Sequence, residues 1–279
     1  MKTKLIFFSG LSLVFLSIFF LNIPPAVPET LTGSGCSVSN MGYLSELVQD
    51  YEKITGVKIY VRGGGSLVGI EDLRSGNVDF AASCRHKMHG DPENVEFIQV
   101  AWDALVFIVN KSNPVDNISL EEARAIYSGK VNNWGQIKGG DAPINVFISR
   151  SQKTNGLSGV ESSTKEMVLD GKDPVETPNT VFLASTAIVE QMVEKTSGGF
   201  AATGFSSARK RDVKMLKLNG VYPDKKNISS NSYPLKRPLY LLVPKEAGAE
   251  TKNFIDFVLS KKGQKLISSY GAISLLDIK

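Results

Sequence analysis

Two hydrophobic periods alternate along this chain. Short β-branched and aromatic runs read as strands, and most are followed by segments whose apolar residues recur every three or four positions, as a helix requires. From residue 30 a strand runs toward Gly35-Cys36-Ser37-Val38. A helix is then expected over Met41 to Ile54, with Leu44, Leu47, Val48 and Tyr51 on one face and Gly56 closing it. Further strands are expected at 59–61, 78–82, 97–100, 104–109, 144–148, 200–205, 213–218 and 238–243. Helices are expected at 66–75, 120–127, 158–169, 186–195, 251–260 and 263–270, with Ser119 capping the second. Strand–helix alternation of this kind implies an α/β class with mainly parallel sheets.

One stretch stands out within the pattern. Tyr60 to Leu73 reads YVRGGGSLVGIEDL: a β-branched run, three glycines, Ser66, then helical spacing. This is a strand, a tight turn and a helix start, with Ser66 expected as the N-cap. Glycines let a ligand approach the backbone, and the first N–H groups of a helix lack partners within it. Such an end suits an anion. The Ser83-Cys84-Arg85 turn after strand 78–82 is of the same small, polar kind.

Composition narrows the picture. The 279 residues are 42% hydrophobic and 22% charged, which is enough for one large domain or two lobes. A net charge of +4, spread out, offers no face for nucleic acid. Lys2 and Lys4 precede an apolar run from Leu5 to Leu21, with Pro24, Pro25 and Pro28 after it. Residues 1–28 therefore read as a signal peptide, or as an N-terminal anchor if uncleaved, and the protein as exported. Cys36 follows Gly33-Ser34-Gly35, a loose match to a lipoprotein site that lacks the expected aliphatic residue. The two cysteines, Cys36 and Cys84, could pair in an exported protein. His86 and His89 lie near Asp91, but a structural metal needs four ligands, so no metal and no cofactor are expected. No nucleophile-elbow motif appears. Cys84 and His86 lie in a turn, where i, i+2 spacing does not put them on one face, so no enzyme is expected.

Four stretches together resemble the phosphate-binding receptors of bacterial ABC importers. They are GGGSLVGIEDLRSGNVDFAASCR (63–85), VFIVNKSNPVDNISLEEARAIYSGKVNNW (106–134), NGVYPDKKNISSNSYPLKRPLYLLVPK (219–245) and FIDFVLSKKGQKLISSYGAISL (254–275). The resemblance implies a two-lobed type II periplasmic binding-protein fold, with mixed, mainly parallel sheets, helices on both faces and two crossover hinge strands. Lobe one would comprise 30–108 and 240–279, and lobe two 109–239. It also implies a monomeric solute receptor that passes inorganic phosphate to a membrane permease.

Carried over by position, the resemblance places ligand contacts at Ser37, Val38 and Ser39, at Ser66, at Ser83, Cys84 and Arg85, and at Arg150, Ser158 and Gly159. Three departures matter. The family often has Thr at the position of Val38. Its Ser-Gly-Thr helix start is matched by Ser158-Gly159-Val160 or by Thr154-Asn155-Gly156, and the register of the following helix favours Ser158. Some members carry Asp where this chain has Cys84, and others have Ser-Arg, much like Cys84-Arg85. An Asp there accepts the proton of monohydrogen phosphate and repels sulfate. Without it, Asp103 and Glu161 become candidate acceptors, and sulfate, arsenate, molybdate and tungstate stay open as ligands, as does a membrane-tethered anion sensor. The shared position of the Cys36 and Cys84 loops implies either a disulfide at the cleft floor or two buried thiols.

Overall fold

The computed structural model describes residues 30–150 and 158–278. The chain enters on β1 (Thr30–Gly35) and turns directly into a helix. That helix is continuous from α1 (Ser37–Ser39) through a π-helical stretch (Asn40–Leu44) to α2 (Ser45–Thr55), and ends at Gly56 with φ +81°. Next come β2 (Lys58–Gly63), α3 (Ser66–Arg74), β3 (Phe80–Ser83) and the long β4 (Val95–Asn110). The middle of the chain carries β5 (Asn117–Ile118), α4 (Leu120–Tyr127), β6 (Asn145–Ser149), α5 (Gly159–Met167), β7 (Thr180–Leu183) and α6 (Thr186–Lys195). It continues through β8 (Gly199–Gly204), α7 (Phe205–Ala208), β9 (Val213–Met215), β10 (Lys217–Leu218) and α8 (Lys225–Ser229). The end consists of β11 (Lys236–Pro244), α9 (Ala249–Leu259), α10 (Lys261–Tyr270) and β12 (Ile273–Ser274).

The strands line up as β2-β1-β3-β11-β4-β8-β6-β7. Pairing is parallel on the two flanks, β2-β1-β3 and β8-β6-β7, where helices make the crossovers. It is antiparallel at the centre, where β11 and β4 return the chain. β4 changes partner along its length: Val95 to Ala104 face β11, and Leu105 to Val109 face β8. The two runs expected at 97–100 and 104–109 are therefore one strand. Trp102 and Asp103, which looked like a break, are paired to Pro238 and Arg237.

Other expectations shift for similar reasons. The first helix begins four residues before Met41, because Ser37, Val38 and Ser39 are buried against the rest of the fold rather than solvated. The 213–218 strand splits at Leu216, whose N–H bonds Phe107 O while its neighbours serve two different sheets. Strand β7 and the short α7 and α8 carry too little periodicity to be read from the sequence.

Each flank has an aromatic centre. Phe80 and Tyr51 pack on Phe254 at 5.1 and 5.2 Å between centroids. Phe107 stacks on Phe200 at 5.6 Å and 14°, with Tyr127 and Trp134 against the same ring. Trp134 is buried and its indole N–H donates to Gly198 O at 3.1 Å. Phe200 is fully buried, so Phe200→Ala should cost about 3–5 kcal/mol through lost transfer energy and a cavity. A denaturant melt of the variant should show the midpoint falling accordingly; a shift equivalent to under about 1 kcal/mol would deny Phe200 its central place.

Candidate functional site

In open α/β sheets, ligands gather beyond the carboxyl ends of parallel strands. Here β1 ends at Gly35, β2 at Gly63, β3 at Ser83, β6 at Ser149 and β7 at Leu183, and helix starts follow four of them. The helix starts meet. Gly65 N–H bonds Gly35 O at 2.9 Å, which binds the glycine loop to the end of β1. Gly65, at φ +100°, is itself the N-cap of α3, so Ser66 is the first helical residue and not the cap. Freed from capping, Ser66 Oγ accepts the Cys84 N–H at 3.1 Å and lies 3.7 Å from Cys84 Sγ.

From the other flank, α5 brings its first residue onto the same spot. A Cβ on Gly159 would lie 2.4 Å from Ser66 Oγ and 2.5 Å from Cys84 Sγ, so only glycine fits this contact. Ser158 caps α5 by accepting the Glu161 N–H at 3.0 Å. Its hydroxyl also bonds Ser149 Oγ at 2.6 Å, and Thr186 Oγ1 donates to Ser149 Oγ at 3.2 Å. The starts of α5 and α6 thus share one buried hydroxyl chain. Ser37 lies across the glycine loop, with its Oγ 3.0 Å from where a Gly63 Cβ would sit. Val38 reaches the far flank and packs on Gly204, whose Cβ would fall 2.2 Å from Val38 Cγ1.

Of the residues singled out in the sequence, Ser37, Ser66, Cys84, Ser158 and Gly159 are thus placed together, and Val38 lies beside them. Ser39 is fully buried, and its hydroxyl has no hydrogen-bond partner among the described residues. Ser83 spends its hydroxyl on its own turn, donating to Arg85 O at 3.0 Å. Arg85 points away and makes a two-pronged pair with Asp91 at 2.7 and 2.8 Å. Burial works against ionisation of the Asp91 carboxyl, but that pairing holds it below the usual range. Thr154-Asn155-Gly156 lies outside the described residues.

Arg150 follows β6 and is 29% exposed. Its guanidinium pairs with Glu161 at 2.9 Å and Glu176 at 3.4 Å, and lies 3.9 Å over the Phe182 ring. It stands beside the α5 start, oriented by carboxylates on one side and a ring face on the other. Of the two candidate proton acceptors, Asp103 has both oxygens engaged and Glu161 only one. Asp103 Oδ1 takes the Ser206 N–H at 2.9 Å, and Oδ2 takes Arg237 Nε and Nη2 at 3.3 and 3.1 Å. Glu161 Oε2 is buried without a hydrogen bond, and Glu161 lines a small cavity with Tyr127 and Thr164. Burial raises its carboxyl above the usual range, against the pull of Arg150.

Cys36 and Cys84 are both buried and free, and their thiols act on each other. Cys36 pulls Cys84 down to about 7, with burial opposing it and Arg237 and Ser66 assisting. Burial, reinforced by Cys84, pushes Cys36 well above the ordinary thiol range. Arg237, Ser163 and Thr186 are the residues here that sequence reasoning missed. Arg237 is the second residue of β11, between Lys236 and Pro238, and no local motif marks it.

Comparison with known proteins agrees with this architecture. The family model of the PBP superfamily domain matches residues 23–262. The chain is 30% identical over 259 residues to the phosphate-binding protein PstS of Borreliella burgdorferi, covering 88% of this chain and 91% of that one. A substrate-binding protein of a phosphate ABC transporter from Clostridium perfringens, solved with bound phosphate, superposes with a TM-score of 0.78 at 25% identity, covering 88% of this chain and all of the other. An ABC-type phosphate transport receptor from Vibrio cholerae gives 0.67 at 28% identity over 88% of this chain and 100% of that one. Among the described residues no helix is long and apolar enough to cross a membrane.

The contact at Gly159 makes a direct prediction. In Gly159→Ala the added methyl should hold the α3 and α5 starts apart without unfolding either flank. Cys84 should then react with an aromatic disulfide reagent several-fold faster than in the native protein. Equal labelling rates in two equally folded proteins would mean the two helix starts do not shield that sulfur.

Proposed function

We propose that this chain, which belongs to the PBP superfamily and within it to the PstS-type phosphate-binding proteins, is the substrate-binding component of an ABC importer that captures inorganic phosphate. The observation that carries the reading is the meeting of the α3 and α5 starts, Ser66 against Gly159, over the Cys84 turn. Each start offers amide N–H groups without helical partners and the positive end of a dipole. Together with the Ser37 hydroxyl and the Arg150 fork they supply donors from several directions, as a tetrahedral oxyanion demands. Binding and release are the whole task, so the protein needs no nucleophile and no cofactor. It acts as a monomer outside the cytoplasmic membrane, delivered there by residues 1–28, and hands its ligand to a membrane permease.

The cleft lies between two lobes. The boundary expected at 108/109 and 239/240 is better drawn a few residues earlier on each crossover strand. β4 changes partner between Ala104 and Leu105, and Leu105 N–H bonds Leu235 O just before β11 begins. Hinge motion about this point would open and close the cleft. Ser37, Val38, Ser66, Cys84, Ser158 and Gly159 form the proposed ligand shell, with Arg150 as its cation. Ser39, Ser83 and Arg85 support that shell from behind.

Isothermal titration with phosphate and with sulfate tests the reading. Phosphate should bind, and more tightly than sulfate; the reverse order would reassign the ligand to another oxyanion. Arg150→Ala should weaken phosphate binding by about 2–5 kcal/mol, as expected when one partner of a charge pair in a cleft is truncated. An unchanged dissociation constant would remove Arg150 from the shell.

Cys84 adds a pH signature. Its thiol ionises near 7 in the folded protein, so a thiolate forms among the helix starts as pH rises. That charge repels the anion. Affinity should therefore be highest below about 7 and fall between roughly pH 7 and 8.5. Cys84→Ser should lack this decline, while the ionisation of phosphate itself is common to both proteins and cancels in the comparison. Parallel pH profiles for the two proteins would sink the assignment.

A further inference from the structure

Arg237 is far more deeply buried than Arg150. It is 2% exposed, and its partner Asp103 is fully buried. The two stand directly opposite each other on β11 and β4, one residue before β4 changes partner. A buried ion pair is costly and is weak evidence for stability alone. Here one donor of the guanidinium is not spent on the pair. Nη1 leaves the crossover strands and donates to Ser163 Oγ at 3.1 Å, on α5 in the opposite lobe. Ser163 Oγ in turn lies 3.3 Å from Cys84 O and 2.9 Å from Gly159 O. A hydroxyl has one proton, so Ser163 donates to one carbonyl or the other while accepting from Arg237. Donation by a cation polarises that hydroxyl and strengthens its own bond.

Resting on the receptor reading above, we propose that Arg237 is a positioning residue for anion capture: through Ser163 it ties the hinge to the start of α5 and to the Cys84 turn on which that start closes. Rotation of the lobes about the crossover strands can leave Asp103 with Arg237, since both lie on the paired strands. Ser163 travels with α5. The contact from Arg237 to Ser163, and from Ser163 to Cys84 O, therefore exists only when the cleft is closed. Its loss should speed opening and release while sparing encounter with the ligand.

Stopped-flow tryptophan fluorescence with inorganic phosphate separates these rates. Ser163→Ala should raise the dissociation rate roughly tenfold, the scale of one hydrogen bond from a charged group, with the association rate within about twofold of native. The melting temperature without phosphate should barely change, because water reaches Nη1 when the cleft is open. Arg237→Lys keeps the charge but not the fork, and should raise the dissociation rate at least as much. Adding Ser163→Ala to Arg237→Lys should then change little further. If native protein binds phosphate and Ser163→Ala releases it at the native rate, the proposal is overturned while the receptor reading stands. If native protein binds no phosphate, both fail. Should Arg237→Lys not fold, Ser163→Ala alone decides.

Discussion

The structure depends on what happens to amide N–H groups at the beginnings of helices. Every helix opens with N–H groups that its own carbonyls cannot satisfy, and burying them unpaired is expensive. In this chain the starts of α3, α5 and α6 and of the helix from Ser37 all lie inward, at the carboxyl ends of parallel strands. Small residues make this approach feasible. Gly65 adopts φ +100° so that α3 can begin at Ser66, and Gly159 lets α5 come within contact of Ser66 and Cys84. Hydroxyls then distribute the remaining polarity, as in the Thr186–Ser149–Ser158 chain. A site formed this way is already aimed at a negative guest before any side-chain charge is counted.

Charge enters second and is closely balanced. Arg150 is held by Glu161 and Glu176, Arg85 by Asp91, and Arg237 by Asp103. An anion would thus meet dipoles and shared cations, not a bare basic patch, which fits the small net charge of the whole chain. The unusual member is Cys84. At this position the chain presents a sulfur whose ionisation is tuned by Cys36 on one side and Arg237 on the other. Of the two carboxylates near the site, Asp103 has both oxygens committed to Ser206 and Arg237, whereas Glu161 keeps one buried oxygen without a hydrogen bond.

Much of this was legible beforehand because it is local. Strand–helix alternation, the glycine loop at 63–65, the capping serine at 158 and the small polar turns at 37 and 83–85 are short-range patterns, and each marks a place where backbone must turn tightly or donate. They suffice for the α/β class and for the loop before Ser66; most other candidate ligand positions follow only from the family resemblance. Only tertiary structure decided which of those positions face one another. Ser83 and Arg85 look like Cys84 in sequence, yet the turn absorbs the hydroxyl of the first and Asp91 takes the guanidinium of the second. β4 is one strand because it serves two partners brought from distant segments, something no window of residues can contain. Arg237 is the clearest case. A charged residue in an apolar strand becomes meaningful only when β11 sets it opposite Asp103, 134 residues away, and beneath Ser163. Periodicity and turn chemistry act over a few residues; the pairing of buried charges acts across the fold.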